Sequence, residues 1–303
     1  MDASNVIYIK FDTFTPKQRI QYYLGPLYNS SIVNTENLIS IQSEELLRCE
    51  QPDDRDKRHE YFLKVLTKYG FENKKISILF GDIQHTVSNY TIVKNRHNGS
   101  NSGVIIKKLN FNRHWQHVYN KPFDIPFQNK HDKIIWRGGT TGNINRIANR
   151  FDLITKWYNK NSNIDVGFSE IVQDQDAYKK YIKTKLSIDN LLQYKYLISV
   201  EGNDKDSGLN WKLASNSLVM MARPTFRSWL MEDMLIPNYH YLLLKNDFSD
   251  LLEKLEWCNK HPDEVLTIIK HANQYMEMFN NIKQEEDIEK KVLELYFKKT
   301  TQL

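Results

Sequence analysis

The chain has 303 residues, enough for one large domain or two ordinary ones, and with 40% hydrophobic and 26% charged residues it is too apolar to be disordered. Its 42 basic and 37 acidic residues leave a net charge of +5, too little for a dedicated nucleic-acid binder and well suited to a modest anionic ligand. Two distant cysteines, Cys49 and Cys258, encode neither a disulfide framework nor a structural zinc site, so a reducing compartment is expected.

The first residues show no basic segment leading into an apolar stretch, and no apolar run approaches the roughly 20 residues that span a bilayer; a soluble, unexported protein is expected. A first strand is predicted at residues 6–10. Tyr61, Phe62, Val65, Leu66 and Tyr69 recur at helical spacing and predict an amphipathic helix. Residues 76–80 are an apolar run ending at Gly81-Asp82, a buried strand that delivers a carboxylate at its C-terminal end. Residues 90–93 and 104–107 read as weaker strands, and 95–102, rich in Asn, Gly and Ser, as a loop or flap. From about residue 130 strand and helix alternate. A strand at 133–136 leads through a glycine-rich turn at 137–142 into a helix carrying Ile144, Ile147, Phe151, Ile154 and Tyr158. Strands at 164–168, 196–200, 217–222 and 239–244 follow, the signature of a parallel sheet covered on both faces. Helical stretches at 248–259, 262–281 and 284–298 close the chain.

Three constellations can carry chemistry. In the first, Gly138, Gly139 and Gly142 let backbone approach a ligand ahead of a helix N-terminus, a phosphate-binding layout that lacks the spacing of a P-loop. Arg146 and Arg150, four apart on the expected helix, can reach a phosphate or remain solvated surface arginines. In the second, residues 201–208 follow a strand directly and combine Asn203, Asp204, Lys205, Asp206 and Ser207 between Gly202 and Gly208, running into a helix with Lys212. Ligands of open parallel sheets bind at such carboxyl ends, although the same composition also serves a plain capping turn. The third is Asp82, a general base if it faces a cleft and a turn former if it does not. His114 and His117 form H-x-x-H without a third ligand at metal spacing, and no Asp-x-Asp stands ready for a metal-diphosphate complex. The basic stretch 107–121, with Phe111, Trp115 and Tyr119, reads as a solvated loop or a nucleic-acid strip.

The segments WRGGTTG at 136–142, YKYLISVEGND at 194–204, the helix start from Ser207 to Lys212, and PTFRSWLMED with IPNYHYLLLKNDFSDL across 224–251 together resemble glycosyltransferase family 90. This group includes capsule-associated xylosyltransferases, Rumi-type protein O-glucosyltransferases and bacterial lipopolysaccharide-modifying enzymes. The resemblance is strong over about 130–260 and continues faintly upstream to ISILFGD at 76–82. It implies an α/β fold of the GT-B type, two Rossmann-like domains facing across a cleft and closed by C-terminal helices. Residues 1–130 would form the acceptor-side domain and 131–303 the nucleotide-sugar-binding domain. It also implies inverting transfer from a UDP-sugar donor to a glycan or glycolipid acceptor, without cofactor, bound metal or nucleic acid. On this chain Asp82 matches the general base and Arg150, before Phe-Asp-Leu-Ile, the diphosphate-binding arginine. Asn203, Asp204, Ser207 and Gly208, with Lys212 beyond them, match the nucleotide-holding loop. Gly139 stands where relatives often place a serine, a hydroxyl that Thr140 can replace, and Leu209 stands where animal relatives carry an arginine. With no export signal expected, the acceptor is a lipopolysaccharide core or capsule precursor and the location cytoplasmic, with at most peripheral contact at the inner membrane face. A non-catalytic nucleotide- or sugar-binding protein of the same fold, and a protein O-glycosyltransferase, are the alternative readings.

Overall fold

The computed structural model describes residues 13–33, 38–40, 58–97, 99–109, 114–173 and 175–303. The strand expected at 6–10 and Cys49 lie outside them. The molecule is a mixed α/β structure with two principal sheets and a set of C-terminal helices.

The first sheet comes from the N-terminal part. Strands β1 (Ile39–Ser40), β2 (Lys75–Ile78), β3 (Thr91–Val93) and β5 (Val104–Ile105) lie in that order, the last three parallel and β1 antiparallel to β2. Two helices accompany it, α1 (Pro16–Leu24) and α2 (Arg58–Tyr69). The first starts where Thr15 and Gln18 satisfy each other's backbone N–H groups and Pro16 fits a position that needs no donor. The second buries Phe62, Val65 and Leu66, the face that the spacing predicts. The intervening β4 (Asn95–His97) departs from expectation. Instead of a flap, it is a buried strand that pairs antiparallel with β10 (Phe226–Ser228), with Asn95 opposite Ser228. Its polar residues hid it, because Asn95 and Arg96 are satisfied internally: Arg96 donates to the carbonyls of Tyr22, Tyr23 and Gly103 at 2.7–3.0 Å.

The second sheet is five-stranded and wholly parallel. It contains β6 (His131–Gly139), β7 (Ile164–Glu170), β8 (Tyr194–Ile198), β9 (Leu218–Met221) and β11 (Leu242–Leu243), in the spatial order β11-β9-β8-β6-β7. All four residues of β9 are buried, as expected for a strand covered on both faces. The chain passes from β6 to β7 on one side and then crosses back over β6 to β8 on the other. A crevice therefore opens at the carboxyl ends of β6 and β8.

Two boundaries differ from the sequence reading near that crevice. The strand expected to stop at Trp136 continues through Gly139, with a register shift between Gly138 and Gly139. The helix expected from Ile144 begins only at Arg150 and ends at Trp157. Asn149 is the reason: its side chain accepts from Asp152 N–H at 2.8 Å and donates to the carbonyls of Ile144 and Arg146, which folds 143–149 into turns. Ile144 and Ile147 are consequently exposed.

Helices Leu251–Lys260, Pro262–Glu277 and Ile282–Lys299 close the chain. The last of these, expected with the second unit, lays its buried face on the first sheet. Tyr296 OH accepts from Ser77 N–H at 3.0 Å and the Phe297 ring lies 4.9 Å from Phe71. Beside this contact Glu285 is held between Arg19 and Lys107, and Lys107 lies 4.6 Å from the Trp229 ring. Of the described residues in the 107–121 stretch, Lys107 and Trp115 are buried, and Lys108 lies 4.1 Å from the Trp115 ring. Phe111 falls outside the described residues.

On the same helix, burial lifts the Glu289 carboxyl from its ordinary 4.5 to about 7 against the opposing pull of Lys108. The unfolded chain releases this proton near pH 4.5 and the folded chain near pH 7, so the stability the group contributes is complete below the first value and lost as pH rises through the second. Glu289→Gln is therefore expected to flatten the decline of melting temperature between about pH 5 and pH 8. An unaltered slope in the variant would assign that decline to other groups.

Candidate active site

A cavity of about 440 Å³ occupies the crevice. The second sheet contributes the ends of β6 and β8 and the loop 202–208; Asp82, Lys94 and His114 come from the N-terminal part. All three constellations singled out in the sequence converge here.

Asp82 follows the first-sheet strand β2, whose parallel pairing extends to Leu79, bonded to Ile92. Its neighbour Ile83 is fixed by the buried Asn95 side chain, which accepts from Ile83 N–H at 3.3 Å and donates to Ile83 C=O at 2.9 Å. The Asp82 carboxylate, with 30% of its side chain exposed, pairs with the ammonium of Lys94. That ammonium also lies 2.9 Å from Asp204, across the cavity.

On the donor-loop side, Arg150 is a clamp. Four of its five N–H groups are spent on the carbonyls of Gly139, Glu201 and Val200 and on the Thr141 hydroxyl, at 2.7–3.3 Å. It thereby ties the end of β6 to the chain leaving β8. The two loops touch closely: a Cβ on Gly142 would lie 2.8 Å from Gly202 O, and one on Gly202 would lie 2.6 Å from Thr141 Oγ1. Arg146 is not helical and does not share a face with Arg150; it donates to the carbonyls of Gly202 and Asn203 and sits 4.8 Å from the Phe226 ring.

Gly139 lines the cavity. Thr140 does not: it is fully buried, with its hydroxyl donating to Val172 C=O at 2.7 Å and accepting from Val172 N–H. The hydroxyl on the cavity wall next to Gly139 belongs to Thr141. Asn203 accepts from Gly142 N–H at 2.9 Å, which holds the two loops in register. Ser207 is exposed on the wall and Gly208 adjoins it. Lys212 is buried, donating to Ile198 C=O at 3.1 Å and pairing with Asp206. Burial alone raises an acid, but Lys212, the Ser199 hydroxyl and Gly208 N–H together hold Asp206 below the usual carboxylate range. Leu209 is a core residue.

Sequence reasoning missed Lys94 and Asn95, both inside the stretch read as weak strand and flap. It also gave no separate weight to Lys205, whose buried ammonium is turned toward Glu232 at 3.8 Å and Trp229 at 5.1 Å, burial lowering its pKa. Glu201 accepts three hydrogen bonds from Thr225 and Phe226, yet burial lifts its carboxyl to about 7. These bonds connect the loop to β10 and so to the strand that carries Asn95. Among the described residues no three His, Cys, Asp or Glu side chains converge as metal ligands would, and His114 and His117 form no such group.

Comparison with known proteins sets the chain among the glycosyltransferases. It belongs to glycosyltransferase family 90, whose model matches residues 51–301. O-glucosyltransferase LpsA of Dichelobacter nodosus is 33% identical over 232 residues, 76% of this chain and 69% of that protein. Protein O-glucosyltransferase 2 of Danio rerio is 30% identical over 102 residues, 34% of this chain and only 20% of that protein. Among the described residues no helix is long and apolar enough to cross a membrane.

Removing the Asn95 side chain leaves Ile83 N–H and C=O buried without partners. Asn95→Ala is expected to cost about 1–3 kcal/mol in a urea melt. Wild-type stability in the variant would show that the bracket around Ile83 is dispensable.

Proposed function

We propose that the chain is an inverting, metal-independent glycosyltransferase that moves a sugar from a UDP-sugar to a hydroxyl of a glycan or glycolipid. The observation that carries this reading is the placing of one partly exposed carboxylate, Asp82 from the first sheet, on the same cavity as the 202–208 loop of the second. A GT-B arrangement, with units 1–130 and 131–303, is the corresponding reading of the two sheets. The names of the relatives favour glucose as the sugar, and the acceptor of this reading is a lipopolysaccharide- or capsule-type glycan.

In the proposed reaction the acceptor hydroxyl attacks the anomeric carbon from the face opposite the diphosphate. The new C–O bond forms as the bond to the diphosphate oxygen breaks, the electron pair leaves with UDP, and Asp82 takes the hydroxyl proton. Arg150, with its one remaining N–H, and Ser207 at the rim are the donor-side contacts; Gly139 and Gly208 let the diphosphate approach the backbone. Asn203, Asp204 and Lys212 hold the loop around it. Positive charge supplied by side chains takes the place of a metal ion at the leaving group.

A panel of nucleotide-sugars, scored by thermal shift and by UDP release, tests the donor class; no response to any UDP-sugar would favour a non-catalytic binding protein. Asp82→Asn keeps size and most hydrogen bonding but removes the basic oxygen, so transfer is expected to drop roughly 10²–10⁴-fold while UDP binding is not weakened and the variant stays folded. Full activity in the folded variant would move the search to another carboxylate. Transfer is also expected to survive excess EDTA, and restoration by manganese after a loss would contradict the metal-free reading.

A further inference from the structure

The cations on the cavity wall are already engaged with the protein, yet the proposed donor brings a diphosphate. Arg150 has spent four N–H groups on the protein, and Lys212 is held by Asp206 and Ile198 C=O. Arg137 makes a double bond-pair with Asp165 and donates to three carbonyls. Asp82, Glu170, Asp204 and Asp206 line the same wall, so an entering anion meets carboxylates as well as cations. A diphosphate entering here therefore competes with those acids for the lysines.

We infer that Lys94 is the cation won: its ammonium, shared between Asp82 and Asp204, transfers to the donor diphosphate when the donor binds. This rests on the reading of the cavity as a UDP-sugar site. Three features single out Lys94. Its ammonium bridges acids from the two sides of the cavity, with only 4% of the side chain exposed. It sits on a flexible four-carbon stem with a freely rotating head, unlike the planar arginines fixed by several carbonyls. Its pairing with Asp82 also occupies an oxygen of the carboxylate that must receive the acceptor proton. Moving the ammonium thus does two things in one step: it neutralises the leaving group and releases the Asp82 oxygen it had occupied, so the carboxylate becomes a stronger base when a donor is present. No bond to carbon or phosphorus changes in this step. Lys94 acts on the base by position and on the donor by charge, between two aspartates where a metal-dependent transferase would hold its ion.

The test compares wild type with Lys94→Ala by calorimetry with UDP and with uridine, and by UDP release in the presence and absence of propylammonium. Lys94→Ala is expected to bind UDP roughly 10–100-fold more weakly while uridine affinity is unchanged. Transfer is expected to fall and propylammonium, entering the vacated space, to restore part of both UDP affinity and turnover. UDP affinity equal to wild type with no amine effect would overturn the inference and leave Lys94 as a static tie between two aspartates. Failure of the wild type itself to bind UDP would instead overturn the reading of the cavity. Should the alanine variant not fold, Lys94→Gln, which keeps hydrogen-bond donors but no charge, carries the same UDP-against-uridine comparison, and equal losses for both ligands count against the inference.

Discussion

The cleft depends on one amide side chain. Asn95 grips both backbone groups of Ile83, the residue after Asp82, and does so from a strand that is itself paired with residues 226–228 of the second half. Those residues are in turn bound to Glu201 and Glu232. The carboxylate from the first sheet is thereby set relative to the loop leaving the second by a short series of buried, directional bonds. A slip of one residue in the ribbon would turn Asn95 to the opposite face and release Ile83. Buried polar groups satisfied by specific partners give position at some cost in stability, and here position is what a cleft between two sheets requires.

The parts of this arrangement that were legible in the sequence are those written in local pattern. The alternation of strands and helices after residue 130, the apolar run before Asp82 and the 201–208 loop all follow from spacing and composition, and all three candidate constellations meet in space. What was hidden is polar and buried. Asn95 and Arg96 sit in a stretch of Asn, Gly and Ser that looks solvated, because composition reports the cost of burying a polar group and not the presence of its partner. The late start of the helix at Arg150 was hidden for a related reason. Ile144 and Ile147 fit the apolar spacing, but Asn149 caps the helix and overrides it. Thr140 and Thr141 are indistinguishable in sequence; a bulge after Gly138 turns the first inward to Val172 and the second to the cavity.

The electrostatic character of the site follows from the same enclosure. Acids and bases that line it neutralise one another in pairs drawn from distant segments, Lys94 with Asp82 and Asp204, Lys212 with Asp206. Each pair is held by further hydrogen bonds or by burial, so the site carries little uncompensated charge despite its many ionisable groups. Such a site favours ligands that can exchange partners with the protein over ligands that merely add charge.

The path of the final helix has a bearing on how the molecule is assembled. Tyr296 and Phe297 complete the core over the first sheet, and Gln302 brackets the backbone of Lys75 with a bond at each end. The first sheet is complete in sequence at Ile105, but Tyr296 and Phe297, which finish its core, are synthesised about 190 residues later. The parallel sheet, whose strands lie between residues 131 and 243, can close its own layers before then. The half that presents Asp82 is thus the one whose core is completed by the last residues of the chain to be made.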